Sequence, residues 1–367
     1  MDQKTTQLVG SIISKTFSHL SRPHQKNLAD LVMAFFYNAS FTLWEIASCL
    51  AGETTPKHKH KRLIYFLDHL ELDTAFWKSF ILTIFSLPGF RFKSRRYITI
   101  ALDATTLKDD FWILAASVSF QGRSIPVYVK MWRGVHTSYN YWQRVESFVT
   151  ELKELLPQGY RYELVADRGF QGEPMLKLLA RIGWDYVIRL NGCWRVKESD
   201  GREFVQLNLF ADGWYEQVWL GKTRQAGPVN LAVSSVVNEE GAASKWYLKT
   251  NINHYDHVVS SYTRRFWIEE SFKDLKSQLK WETYTEKLPS KDRINKCVTV
   301  SCLSYAIQTS LGTQISLAPS EEAKASVFKR FRQAYRRSSE RLERIITKFL
   351  GMIPTYIRRT QYAFKMT

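Results

Sequence analysis

The succession of apolar runs between Tyr97 and Leu190 constrains this chain more than any other feature. YITIALD, FWILAASVSF and SIPVYVKMW are rich in β-branched and aromatic residues, and only LKDD-type and Gln121-Gly122-Arg123 turns separate them. Runs of that kind read as strands able to pair as hairpins. The first run holds a strand over Tyr97 to Leu102 that ends at Asp103. A helical pattern follows in YNYWQRVESFVTELKELL, stopped by Pro157 and Gly159. Then come the strand YELVADRGF with Asp167 near its end, the helix EPMLKLLARIG and the strand DYVIRL. Three hairpin-joined strands ahead of helix, strand, helix and strand predict a mixed α/β sheet; a doubly wound sheet needs a crossover between each pair of parallel strands.

The texture changes on both sides of this core. Residues 1–92 read as helical, with apolar positions in LADLVMAFFYNAS and TLWEIASCLAG recurring at three- and four-residue intervals. Gly52 can end the second of these, and TTPKHKHKRLIYFLDHL starts another with a Thr cap and Pro56 in its first turn. Residues 93–191 form the first part of the core. Residues 192–255 turn strand-like in REFVQLNLF, WYEQVWLG, NLAVSSVVN and KWYLKT, the last two joined at Glu239-Glu240-Gly241, and read as a β-rich insertion. Residues 256–315 return to helix, with RINKCVTVSCLSYAIQTSL apolar enough to lie on the sheet. Residues 316–367 are helical and basic.

Charge narrows the partner. The 367 residues hold 52 Lys and Arg against 35 Asp and Glu, a net charge of +17. A surplus this large points to a polyanion, nucleic acid or an anionic membrane. The membrane is the weaker reading: MDQKTTQLVGSIISKTF has no h-region, and FILTIFSLPGF is too short to span and is broken by Pro88 and Gly89. A cytoplasmic, nucleoid-associated protein is expected. More than half of the net charge lies after residue 322, where Lys324, Lys329, Arg330, Arg332, Arg336, Arg337, Arg341, Arg344, Lys348, Arg358, Arg359 and Lys365 face only Glu340 and Glu343. Lys57, Lys59, Lys61 and Arg62 open the helix after Gly52, a layout compatible with a helix-turn-helix DNA reader. Cys49, Cys193, Cys297 and Cys302 show no ligand spacing, and His58 and His60 lie ~200° apart on a helix, so no zinc site is expected.

Two acids, Asp103 and Asp167, close two separate strands, where open α/β sheets gather ligands. A third, Glu269, lies in YTRRFWIEESFKDLK after the insertion. At ~100° per residue, Tyr262, Arg265, Glu269 and Lys276 share one helical stripe ~60° wide, while Glu270 and Asp274 point elsewhere. Surface salt pairing can produce such a stripe. So can a site. Three carboxylates without His or Cys form a hard-oxygen set suited to Mg²⁺ or Mn²⁺, and two such ions can activate the attacking oxygen and stabilise the leaving oxygen of a phosphodiester. A haloacid-dehalogenase phosphatase fits poorly, because Thr105 stands where its second acid would be.

The order strand-Asp, strand-Asp, β-rich insertion, helix-Glu resembles the DDE transposases of bacterial insertion sequences. Tyr262, Arg265, Glu269 and Lys276 match the Y-x(2)-R-x(3)-E-x(6)-K signature of one branch at each fixed position, and ALDATTL and VADRGF strengthen the match. The resemblance covers residues 93 to 312 and barely touches the tail. It implies a ribonuclease-H-like core in which Asp103, Asp167 and Glu269 ligate two Mg²⁺ ions, with Mn²⁺ able to substitute. Tyr262, Arg265 and Lys276 would hold phosphates of the cleaved end. It implies double-stranded DNA, both element ends and target, as partner, and a homodimer on paired ends. Trp246 in KWYLKT stands where the branch has a tryptophan that stacks on a flipped base while the end forms a hairpin; Trp214 and Trp219 compete for that role, and a core position is the alternative. Two other readings stay open: a ribonuclease-H-like nuclease without strand transfer, and an inactive, transposase-derived DNA-binding protein.

Overall fold

The computed structural model describes residues 2–37, 40–90, 97–108, 110–134, 140–201, 203–221, 227–237, 241, 243–284, 290–315, 326–337 and 340–365. Asp109, Lys324 and the Glu239-Glu240 pair lie outside them. The amino-terminal helices are α1 (Asp2–Thr16), α2 (Arg22–Ala34), α3 (Leu43–Ser48), α4 (Pro56–His69) and α5 (Thr74–Ser86). Local chemistry sets their starts. Ser21, Thr42, Thr55 and Asp73 each accept from the amide three residues on, and prolines sit in the first turns of α2 and α4. Such a cap is worth about 1 kcal/mol. In α4 the spacing of Leu63, Phe66 and Leu67 buries one face and leaves the lysines outside.

The core begins with β1 (Tyr97–Leu107), β2 (Phe111–Phe120) and β3 (Arg123–Arg133), paired antiparallel. Gln121 and Gly122, at φ +47° and +78°, form the two-residue turn between β2 and β3. Helix α6 (Tyr141–Leu155) leads to β4 (Arg161–Ala166), and α7 (Glu173–Ile182) leads to β5 (Asp185–Arg189). β4 lies parallel to β1 and to β5. The order β3-β2-β1-β4-β5, with only the last three strands parallel, is the ribonuclease-H-like arrangement, as the sequence implies.

Strand β1 departs from expectation in length. It does not end at Asp103 but runs on to Leu107, because β2 continues to pair with it: Asp103 faces Ala115 and Leu107 faces Phe111. Its parallel partner stops earlier, at Leu102 opposite Ala166. Asp103 therefore stands one residue beyond the parallel ladder, level with Asp167 just after β4.

The insertion supplies β6 (Arg195–Lys197), β7 (Val205–Gln206), β8 (Gly213–Leu220), β9 (Val229–Val237) and β10 (Ala243–Thr250). They do not stand apart from the core. β10 pairs antiparallel with β5, and the sheet continues in the order β10-β9-β8-β6-β7. REFVQLNLF is not one strand: only Val205–Gln206 pairs, and Leu207–Leu209 forms a 3-10 turn. The amides of Leu207 and Asn208 donate to the carbonyls of Trp194 and Gly192, which bends the segment away.

Helix α8 (Tyr255–Ser277) crosses one face of β1, β4 and β5, with α9 (Lys291–Gly312) beside it. On the opposite face, Tyr128 of β3 packs on Phe148 of α6 and Trp77 of α5. Helices α10 (Val327–Arg336) and α11 (Glu340–Lys365) close the fold, α10 on α9 and α11 on α1 and α5. Gly312 is where α9 meets the start of α10, since a Cβ there would lie 1.8 Å from the Val327 carbonyl oxygen. Among the described residues, no helix is long and apolar enough to cross a membrane.

Candidate active site at the carboxyl edge of the sheet

Helix α8 docks through polar side chains on the face it turns to the sheet. Ser261, Tyr262, Arg265, Ser271 and Asp274 are all buried there. At its amino-terminal half, the fully buried Glu163 of β4 accepts from Ser261 Oγ at 3.1 Å and Thr99 Oγ1 at 2.7 Å. It also lies 3.2 Å from His257 Nε2, whose pKa is raised mainly by that contact. Near its other end, Ser271 Oγ accepts from the Ser124 amide, and Asp274 takes a 2.7 Å contact from Arg123 Nε. Glu163, His257 and Ser261 are not among the residues the sequence points to. Nothing in YELVAD or YDHVVSSY announces the pairing, which exists only once α8 crosses β4.

Between these anchors lies the expected stripe. Arg265 Nη1 is 3.1 Å from Asp103 Oδ2, and Arg265 Nη2 is 2.5 Å from Glu269 Oε1. The guanidinium is 3% exposed and lies against the rings of Tyr262 and Phe266, 5.5 and 4.7 Å from their centroids. Tyr262 Oη reaches Asp167 Oδ1 at 3.4 Å. The three acids thus gather around one buried arginine and one buried phenol. This alters the expectation for Arg265. Its charge is taken up by Asp103 and Glu269 instead of facing an open groove, because burial leaves those acids as its nearest partners.

The electrostatics follow. Burial pushes the Asp103 carboxyl up to about 6, against the pull of Arg265, and Glu269 and Asp167 add to the rise. Burial works against the Arg265 charge, yet Tyr262, Asp103, Glu269 and Asp167 together hold its pKa above the usual value. Tyr262 is pushed up to about 12 by burial, so its hydroxyl keeps its proton near neutrality. Arg189, the last residue of β5, works against that rise and is a residue beside the site that DYVIRL does not advertise. Its only signal is positional: a cation closing the strand beside the one that carries Asp167, on the face turned to α8.

Other expected site residues lie further out. Lys276 is half-buried ~10 Å along α8 from Glu269. Trp246 is 5% exposed, edge-on to Tyr262 at 4.9 Å and stacked on Phe266 at 5.5 Å, in a cluster with Val165, Val187, Leu248 and Val258. In this structure it is a packing residue adjoining the site. Lys57 and Lys61 are exposed on one side of α4, and Lys59 is half-buried. Arg62 is held inside the helical region, donating to Asp30 Oδ2 and the Ala51 carbonyl, both at 3.1 Å. All four cysteines are free, with Cys193 exposed and Cys297 and Cys302 buried.

The donors suit a hard cation. Asp103, Asp167 and Glu269 offer only carboxylate oxygens, and two of them already bind a positive group between them. Among the described residues no three His, Cys, Asp or Glu side chains lie close enough to share one metal ion. Arg265 would have to withdraw for divalent ions to take its place.

Residues 143–288 match the family model described as transposase DDE domain. That span is similar to a transposase DDE domain. The matched span takes in Asp167, Trp246, Tyr262, Arg265, Glu269 and Lys276, and begins after Asp103. No curated protein matches the chain. Among solved structures, the chain is similar to the crystal structure of A. aeolicus Argonaute, with 11% identity and a TM-score of 0.23. That similarity covers 55% of this chain and 28% of the Argonaute chain. At that score it carries no argument, and the fold reading rests on the strand order.

Proposed function

We propose that the protein is a transposase that binds the terminal inverted repeats of its own mobile element, cuts DNA at those ends and joins them to target DNA. The observation that carries this reading is the meeting of Asp103 and Glu269 on Arg265, with Asp167 joined through Tyr262, at the carboxyl edge of the sheet. Held by these three acids, two Mg²⁺ ions, or Mn²⁺ in their place, would supply activation of the attacking oxygen and stabilisation of the leaving one. Water is the first nucleophile, and the 3′-hydroxyl it releases is the second. Tyr262, protonated at neutral pH, orients Asp167. Arg265, released from the acids, holds phosphates of the cut end together with Lys276.

Further parts of the proposal follow from charge. Lys57, Lys59 and Lys61 of α4 and the cations of the carboxyl-terminal helices bind the DNA backbone, and two copies of the chain pair two ends. A hairpin intermediate with Trp246 stacked on a flipped base requires that ring to leave its place between Tyr262 and Phe266. A labelled pre-cut end incubated with the protein, Mg²⁺ and supercoiled plasmid tests the whole reading. Joined product is expected, with hairpins from uncut ends. Nicking without joining would replace transposition by plain nuclease activity, and binding without either would leave a DNA-binding protein.

A further inference from the structure

Lys249 of β10 is fully buried, on the sheet face opposite α8. A lysine costs free energy in such a place unless its charge is used. Among the described residues it forms no ion pair. Its Nζ donates to the Gln171 carbonyl at 2.6 Å and stands 5.9 Å from the centre of the Trp194 ring. Gln171 ends the 3-10 turn Arg168–Phe170, which starts at Asp167. Within that turn the Phe170 amide donates to the Asp167 carbonyl at 2.9 Å.

The rest of the turn is tied down from the same side. Gln171 Oε1 accepts from the Asn191 amide at 3.0 Å and from Trp194 Nε1 at 2.8 Å. Tyr141 Oη donates to the Gly169 carbonyl at 3.0 Å. A Cβ on Gly172 would lie 2.4 Å from the Trp142 ring, so the chain after Gln171 packs closely on that ring. Each of these contacts comes from the core or from the β5–β6 link, except one. Among the described residues, Lys249 alone ties the turn to the last strand of the insertion by a hydrogen bond.

We infer that Lys249 is a positioning residue for Asp167: by gripping the Gln171 carbonyl, strand β10 sets where the turn behind the second acid stands. Its link to catalysis rests on the transposase reading, whereas its hold on the turn does not. A methionine of similar length would fill the space without the burial cost, so packing does not account for the ammonium. Burial also pushes the Lys249 pKa down to about 7, and no charged group contributes to that shift. Its grip on the carbonyl therefore weakens as pH rises through neutrality and the ammonium becomes an amine.

Hydrogen exchange of the Phe170 and Gln171 amides tests this, in the full-length wild type and in Lys249→Met. Their protection factors are expected to fall about tenfold in Lys249→Met while those of α9 stay unchanged. In the wild type the same two factors should decline between pH 6 and pH 8.5. In end cleavage, Lys249→Met should lower kcat about tenfold with end affinity unchanged, and should lose any rate limb near pH 7. Unchanged protection in the variant, or a flat wild-type series, overturns the inference. The wild-type series decides alone if the variant does not fold. Wild-type protein that cleaves nothing would remove the transposase reading, and the exchange measurement would still decide whether Lys249 holds the turn.

Discussion

Arg265 Nη1 lies 3.1 Å from Asp103 Oδ2, joining residues 162 positions apart in the chain. The contact places the helix that carries Glu269 against the strand that carries Asp103, and it does so with a positive charge where the acids would otherwise repel one another. Arg265 is therefore a docking residue for α8, and under the proposed function it is the group that divalent ions would have to displace.

Removing that charge leaves the half-buried Asp103 without its partner. Arg265→Gln should destabilise the metal-free protein by about 3–5 kcal/mol, read as a lower Tm in chelator. Added Mg²⁺ should raise the Tm of the variant more than that of the wild type. Equal melting of the two proteins in chelator would show that the ion pair does not contribute to folding.

Each acid is expected to be indispensable to cleavage and dispensable for binding. Asp103→Asn, Asp167→Asn and Glu269→Gln should each reduce end cleavage by a factor on the order of 10³ or more, with gel-shift affinity for the end nearly unchanged. A variant that keeps cutting would remove that acid from the site.

The His257–Glu163 contact makes stability depend on pH. The folded-state pKa of His257 is raised above the ordinary histidine value of 6.5, chiefly by the Glu163 hydrogen bond. The stabilisation is therefore complete below pH 6.5 and disappears as pH climbs through the higher folded-state value. Urea unfolding of wild type and His257→Gln should show a gap at pH 6 that closes by pH 9; a constant gap would mean the histidine acts by packing.

Cations of α4 divide into two kinds. Lys57→Gln with Lys61→Gln should make the log-log salt dependence of end binding shallower by about 1.8, at ~0.9 for each phosphate no longer neutralised, without changing Tm. Arg62→Gln should instead cost about 1–3 kcal/mol, because Asp30 is buried and Arg62 is one of its two cations. The opposite pattern would place Arg62 on DNA.

Trp246 separates packing from stacking. Trp246→Ala should destabilise by about 3–5 kcal/mol, since the ring fills the cluster between Val165 and Tyr262. Trp246→Phe should retain most of the stability. If Trp246→Phe folds and cuts but forms hairpins as readily as wild type, the flipped-base role belongs to another aromatic.

Much of this protein was settled by local chemistry. Apolar runs and turn residues specified β1 to β5 and the helices between them, because strand and helix periods are short-range properties of the chain. Thr55, Pro56 and the Leu63–Phe66–Leu67 spacing likewise specified α4. The three acids were legible only in part: Asp167 follows a countable strand end and Glu269 lies on a countable helical stripe, whereas Asp103 sits within β1, which runs on to Leu107. Tertiary structure alone decided how those residues are used. Whether Arg265 faces solvent or Asp103, whether Trp246 is free or packed, and whether Glu163 and Lys249 find partners all depend on which surfaces α8 and β10 meet. Burial decides each case, since it removes water as the competing partner and leaves a charge or a ring only the neighbours the fold supplies.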